Sequence, residues 1–172
     1  MTSRVRSVIL AIILVTTICS LPLSSRAQRR PYRMTDQQVA RIVPTAFYFQ
    51  GQSAPTQMRN ATAMRLGEDR HVIAGLVDTT GYAADVRAKY EGFLITDLPI
   101  TINGEGLGIG AYGFGFSNDG KFSVMNIAGD QLLSVATTKD NALRRPRPLM
   151  MAESDSGIRL YSGKDYVVIA AK

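Results

Sequence analysis

The chain has 172 residues, 45% of them hydrophobic and 20% charged, with a formal net charge of +6, one cysteine and one histidine. That length fits one globular domain with a sizeable core. A lone cysteine excludes an internal disulfide, and one histidine excludes the usual zinc sites, which need several His, Cys or carboxylate ligands.

Residues 1–27 open with Arg4 and Arg6, continue through an apolar run from Val8 to Ile18, and end with Ser25 and Ala27 at positions −3 and −1 of a small-x-small site. This is the layout of a secretory signal peptide, and the run is shorter than the roughly 20 residues a bilayer span requires. Cys19 follows Ile18 rather than a small residue, so lipid anchoring is not expected. Cleavage after Ala27 removes Arg4, Arg6 and Arg26 and no acid, which lowers the charge from +6 to +3. That excess is too small to indicate a nucleic-acid partner. The expectation is an exported chain of bacterial type, periplasmic or extracellular, with no membrane span after cleavage and no cysteine left.

Residues 28–44 read as a basic lead-in and one short helix. Thr35 is a suitable N-cap, Gln38 completes a capping box, and Met34 can staple onto Val39. Val39, Ile42 and Val43 make the apolar face, and Pro44 ends the helix.

From 45 to 172 the pattern is that of a single antiparallel β domain. Phe47 to Phe49 suit a strand, as do 60–66 and 71–78, with residues 67–70 between them as a hairpin loop. Residues 86–96 fit two templates: Tyr82, Val86 and Tyr90 have helical spacing, while Val86, Ala88 and Tyr90 alternate with Arg87, Lys89 and Glu91. The reading adopted is a strand, entered through at most one turn of helix. Further strands are expected at 99–103, 107–117, 121–127, 132–137, 157–161 and 166–170. Without βαβ alternation, these short strands and turns predict a mainly β fold, an antiparallel β-sandwich or closed barrel with one short N-terminal helix. A membrane barrel is disfavoured because no clear lipid-facing and lumen-facing alternation appears.

Residues 101–120 contain seven glycines. A phosphate-binding loop places its glycines between a strand and a helix, and no helix follows here. Asn103-Gly104 suits a type I′ hairpin instead, and 118–120 is a second turn signal. Between the turns both faces are apolar, as in a central strand whose glycines leave room for bulky neighbours or permit a bend. The second reading is a ligand pocket lined by Tyr112, Phe114 and Phe116.

The spacing Gly104-x-x-Leu107-x-x-Gly110-x-Tyr112, preceded by Ile100-Thr-Ile102 and followed by a turn and an apolar strand, resembles a hairpin of uncharacterised exported bacterial β-sandwich proteins. The resemblance covers residues 97–128, with a weaker echo at 159–164. It implies a sandwich and export, and it carries over no catalytic residue.

Little else points to chemistry. His71 has no Gly-x-Ser-x-Gly nucleophile motif to serve, and the Asp-x-Asp-x-Asp calcium pattern is absent. The carboxylates Glu91, Asp97, Glu105, Asp119, Asp130, Asp140, Glu153 and Asp155 are scattered and read as solvated turn acids. The densest charge is Arg144, Arg145 and Arg147, held with Pro146 and Pro148 in an expected extended loop that could offer forked donors to an anion. The candidate ligand-binding residues are therefore Tyr112, Phe114, Phe116, Arg144, Arg145 and Arg147, with no catalytic residue, metal ligand or cofactor assigned. The leading function is a non-catalytic exported β-domain that binds an anionic envelope polymer, a protein partner or a small ligand. The alternative is a small hydrolase using scattered carboxylates or His71.

Overall fold

The computed structural model describes residues 31–66 and 69–172. The expected signal peptide, with Arg29 and Arg30 after it, and two residues of the expected 67–70 loop lie outside the described residues.

Strand β1 (Tyr32–Arg33) leads into helix α1 (Asp36–Ile42), which starts at the expected capping box. Gln38 N–H donates to Thr35 Oγ1 at 3.4 Å, and Thr35 N–H donates back to Gln38 Oε1 at 2.9 Å. Met34 and Val39 are both buried in one apolar cluster, as the expected staple requires. Strands β2 (Ala46–Phe49) and β3 (Gln52–Leu66) form a hairpin whose two loop residues, Gln50 and Gly51, take φ of 47° and 79°. Two such residues in succession match the right-handed twist of the flanking strands.

The chain continues through β4 (Arg70–Val77), helix α2 (Ala84–Arg87), β5 (Gly92–Thr96), β6 (Ile100–Ile102), β7 (Glu105–Leu107), β8 (Gly110–Ser117), β9 (Lys121–Met125) and β10 (Gln131–Ala136). It ends with β11 (Thr138–Lys139), β12 (Arg147–Ser154), β13 (Gly157–Gly163) and β14 (Asp165–Ala171). These strands make two antiparallel sheets. The larger runs β1-β3-β4-β5-β8-β9-β10 with β2 also on β3, and the smaller runs β12-β13-β14-β6-β7 with β11 also on β14. Neither order returns to its first strand, so no closed barrel is found among the described residues.

Four expectations are corrected. Two helices are present rather than one, because residues 84–87 are helical and the strand begins only at Gly92. The run thus enters its strand through one turn of helix, as the adopted reading allowed, but the strand is shorter than 86–96, and Tyr82, Val86 and Tyr90 share one apolar cluster. The run 107–117 is two strands in different sheets, since β7 belongs to the smaller and β8 to the larger, with Gly108-Ile109 as the crossing. Finally, Arg147 is the first residue of β12 rather than part of a loop, and it pairs with Gly163.

Strand periodicity builds two cores. On one face of the larger sheet, Met64, Val72, Leu94, Phe114, Phe122 and Val124 meet Ile100, Ile102, Ile158, Leu160, Val167 and Ile169 of the smaller sheet in one apolar cluster. The alternate residues Ala63, Ile73, Phe93 and Met125 point to the opposite face. They are covered there by Val39, Phe47, Phe49, Tyr82, Val86 and Tyr90. Both faces of the larger sheet are thus buried over its central strands, which accounts for the double-sided apolar pattern of β8.

The glycines of β8 are explained by that second core. A Cβ on Gly113 would stand 2.5 Å from Cε2 and 2.9 Å from Cδ2 of Phe49, a ring with no exposure that stacks on Tyr90 at 3.9 Å between centroids. A Cβ on Gly115 would collide with the Lys89 carbonyl. A Cβ on Gly110, in contrast, would crowd only the hydroxyl end of the Tyr112 ring, at 2.8 Å. We expect Gly113→Val to lower stability by about 1–3 kcal/mol through overpacking, and Gly110→Ala to cost clearly less. Thermal or urea unfolding of both variants checks this, and equal losses would remove Phe49 as the cause.

Candidate functional site

The basic loop is shaped by Asp140. After β11 its Oδ1 accepts from the backbone N–H groups of Ala142 at 3.0 Å and Leu143 at 3.2 Å, closing a tight turn. Its own N–H donates to the Lys164 carbonyl at 2.9 Å. Its Oδ2 accepts from the Tyr161 hydroxyl at 3.0 Å and lies 3.9 Å from Arg159 Nη1. Arg159 in turn lies over the Tyr166 ring, 4.7 Å from its centroid. Tyr161 and Tyr166 are paired across β13 and β14, on the face opposite the Leu160 and Val167 core residues. Tyr161 is buried, and burial pushes its hydroxyl above the usual tyrosine range, so it serves as a donor.

The loop is thereby pinned to the outer face of the smaller sheet by its one carboxylate. Arg144, Arg145 and Arg147 are all exposed, and among the described residues none of the three joins an ion pair. Arg65 and Arg159, in contrast, each have a carboxylate partner. The arrangement separates Arg159, which has a carboxylate partner, from Arg144 and Arg145 on the loop and Arg147 at the start of β12, which join no ion pair among the described residues.

The aromatic candidates lie elsewhere. Phe114 has no exposure and contacts Phe122 at 5.5 Å and Phe116 at 6.1 Å between centroids, inside the core shared by the two sheets. Phe116 and Tyr112 are half-buried against the same cluster, and the Tyr112 hydroxyl donates toward the Gly108 carbonyl at 3.0 Å. The three aromatics and the three arginines therefore belong to different layers and do not form one site.

Three carboxylates depart from the expected solvated-turn role. Asp97 accepts the His71 backbone N–H at 2.7 Å through Oδ1, and its Oδ2 lies 3.3 Å from His71 Nδ1. Arg70 donates to the Asp97 carbonyl at 3.0 Å, which fixes the same corner. No hydroxyl bonds to the His71 ring among the described residues, so the pair has no attached nucleophile. Asp140 is the second departure, and Glu91 is the third. Glu91 is half-buried, burial raises its carboxyl above the ordinary glutamate range, and its Oε2 accepts the Phe116 N–H at 3.0 Å, which opposes the rise.

Sequence reasoning overlooked Asp140, Arg159, Tyr161 and Tyr166 as one cluster, and also the His71–Asp97 contact. The partners lie 21 and 26 residues apart along the chain, and only strand pairing brings them together. Among the described residues, no three His, Cys, Asp or Glu side chains gather to hold a metal ion, and no helix is long and apolar enough to cross a membrane. Comparison with known proteins yields no match to a family model, a curated protein or a solved structure.

The buried carboxyl of Glu91 has a consequence for stability. Its folded value lies above its unfolded one, so the native state holds the proton to higher pH. The stability it contributes is present at acid pH and is lost as pH rises through the ordinary glutamate range toward the folded value. Glu91→Gln keeps an acceptor for Phe116 N–H and removes the cost of burying charge. The variant should melt above wild type at neutral pH and close to it at about pH 4. Melting curves across that range test the sign, and an unchanged difference between the two proteins at every pH would contradict it.

Proposed function

We propose that this chain is an exported, non-catalytic β-domain whose two sheets pack as a sandwich, and that it binds an anionic polymer through Arg144, Arg145 and Arg147. The supporting observation for the packing is the single apolar cluster to which both sheets contribute. The observation that carries the binding reading is the fate of Asp140. The loop's only carboxylate is turned onto Arg159 and Tyr161, which leaves Arg144 and Arg145 of the loop, and Arg147 at the adjoining end of β12, exposed and outside any ion pair among the described residues. Forked guanidinium donors on a pinned loop suit the carboxylate, sulfate or phosphate groups of an acidic glycan or a phosphate-bearing envelope polymer. Export rests on the expected signal peptide, and N-terminal sequencing of the exported protein should find Gln28 first, whereas retention of residues 1–27 would overturn it.

The binding test is retention on a heparin column along a salt gradient. Replacing Arg144, Arg145 and Arg147 together by Ala should shift elution to markedly lower salt, because exposed charges act only within about 10 Å at 0.1 M ionic strength. The fold should persist, since exposed substitutions usually change stability by less than about 0.5 kcal/mol each. Identical elution of a folded triple variant would rule the arginine loop out.

One observation favours a second reading, a hydrolase built on His71. Its Nδ1 is held by Asp97, as in a general base oriented by a carboxylate. On that reading His71→Ala abolishes hydrolysis of a susceptible ester while the triple arginine variant retains it. Ester hydrolysis by wild type that survives His71→Ala would exclude the dyad.

A further inference from the structure

The smaller sheet turns one face to the core and the other away from it. Strand pairing sets the rows of the outer face: Tyr161 and Tyr166 share one, Arg159 and Val168 the next, and Ala170, Thr101 and Gly106 the third. Thr101, Val168 and Ala170 are half-buried and belong to neither apolar cluster, so no core layer covers this face beyond the basic loop.

Cations stand along a diagonal of the face. The bulge between Arg147 and Met150 sets Arg147 opposite Gly163, one row beyond Tyr161 on the same face. Arg159 follows in the middle, with a side chain 38% exposed and a distance of 3.9 Å to Asp140 that leaves it open to a second anion. At the far corner the Lys172 ammonium lies 3.5 Å from where a Cβ on Gly106 would stand.

Acids are kept off this diagonal. Alternation turns Glu105, Glu153 and Asp165 to the side of the core residues Leu107, Met151 and Val167, so the strands place no carboxylate on the outer face. Asp155 lies in the β12–β13 turn, at a corner away from the line from Arg147 to Lys172.

Spacing decides what fits. At about 3.3 Å per residue and about 4.8 Å per strand, the Arg147 row stands roughly 13 Å from the Arg159 row, and the whole line to Gly106 runs on the order of 25 Å. A compact anion can touch only one of these cations, because charges screen one another beyond about 8 Å at physiological salt. Only a chain engages them together. Between the cations the floor is apolar, Val168 and Ala170, which suits uncharged ring surface rather than an unbroken row of charges.

We propose that an extended acidic polysaccharide lies along this diagonal, with acidic groups at Arg147, Arg159 and Lys172 and uncharged sugar surface on Val168 and Ala170. The assignment rests on the arginine-loop reading, and it extends that site across the sheet and narrows its ligand to a glycan.

The experiment is isothermal titration of the purified protein with a hyaluronan octasaccharide, which carries a carboxylate on every second sugar, with a hyaluronan disaccharide, and with polyphosphate of comparable length. The octasaccharide should bind at least about tenfold more tightly than either of the others. Thr101→Glu puts a carboxylate on the line, far enough from the loop for its charge to be screened there. It should weaken octasaccharide binding about tenfold and leave disaccharide binding unchanged. Should that variant misfold, Lys172→Ala is expected to weaken the octasaccharide about threefold. No octasaccharide binding, or binding that ignores a folded variant at both positions, overturns the proposal. Polyphosphate that binds as tightly as the octasaccharide overturns the choice of a glycan. Heparin retention that depends on Arg144, Arg145 and Arg147 while octasaccharide binding ignores Thr101→Glu and Lys172→Ala would leave the loop reading standing and remove this extension alone.

Discussion

The larger sheet has apolar side chains on both faces, and the rest of the structure answers the need to cover both. One face is closed by the smaller sheet. The other cannot be left to water, because Ile73 and Phe93 project from it. Its cover is assembled from three separate pieces: α1, the β2–β3 hairpin and the segment around α2. The stacking of Phe49 on Tyr90 at 3.9 Å, with Tyr82 edge-on to Tyr90 at 5.3 Å, joins two of those pieces. The Tyr82 hydroxyl lies 3.1 Å from the carbonyls of both Phe49 and Gln52 and ties the hairpin to the same segment. The Tyr90 hydroxyl is buried among them with no hydrogen-bond partner among the described residues, a cost the ring contacts must offset. Gly113 and Gly115 are the concession the sheet makes so that this cover can approach.

The two sheets are also tied directly. Asn103, at φ 48° in the β6–β7 turn, exchanges its own N–H and its side-chain oxygen with Val168 of β14, and its side-chain amide reaches Ala136 of β10. One residue thus stands in for a missing rung in each sheet. The glycine-rich stretch after it carries the chain from the smaller sheet to the larger at Gly108-Ile109. The close-packing role falls to Gly113 and Gly115, whereas Gly108, at the change of sheet, takes no positive φ and has room for a Cβ.

The basic loop depends on the same principle of a polar group placed where it is already satisfied. Asp140 directs its oxygens to the turn, to Tyr161 and to Arg159, and it forms no ion pair with Arg144, Arg145 or Arg147 among the described residues. The contrast with His71 and Asp97 is informative. There a half-buried imidazole and its carboxylate fix a strand corner, with Arg70 holding the carbonyl of the same Asp. Both clusters are structural in their hydrogen bonding, and they differ in what they leave exposed: three guanidinium groups in one case, the edge of a single ring in the other.

Local chemistry was legible in the sequence wherever one segment settles its own shape. The Thr35 to Gln38 capping box, the Asn103-Gly104 turn and the alternating strands from 60 onward are decided by neighbouring residues, whose preferences need no distant partner. The short run 86–96 was misread in part because its helical and alternating patterns are equally consistent over so few residues, and only the cluster of Tyr82, Val86 and Tyr90 against Phe49 resolves them. Tertiary structure alone decided that 107–117 divides between two sheets, that Phe114 is core, that Arg147 opens a strand, and that Asp140 neutralises Arg159 beneath the arginine loop. Each of these depends on contacts between residues far apart in the chain, and the free energy of such contacts exists only once the strands have found their order.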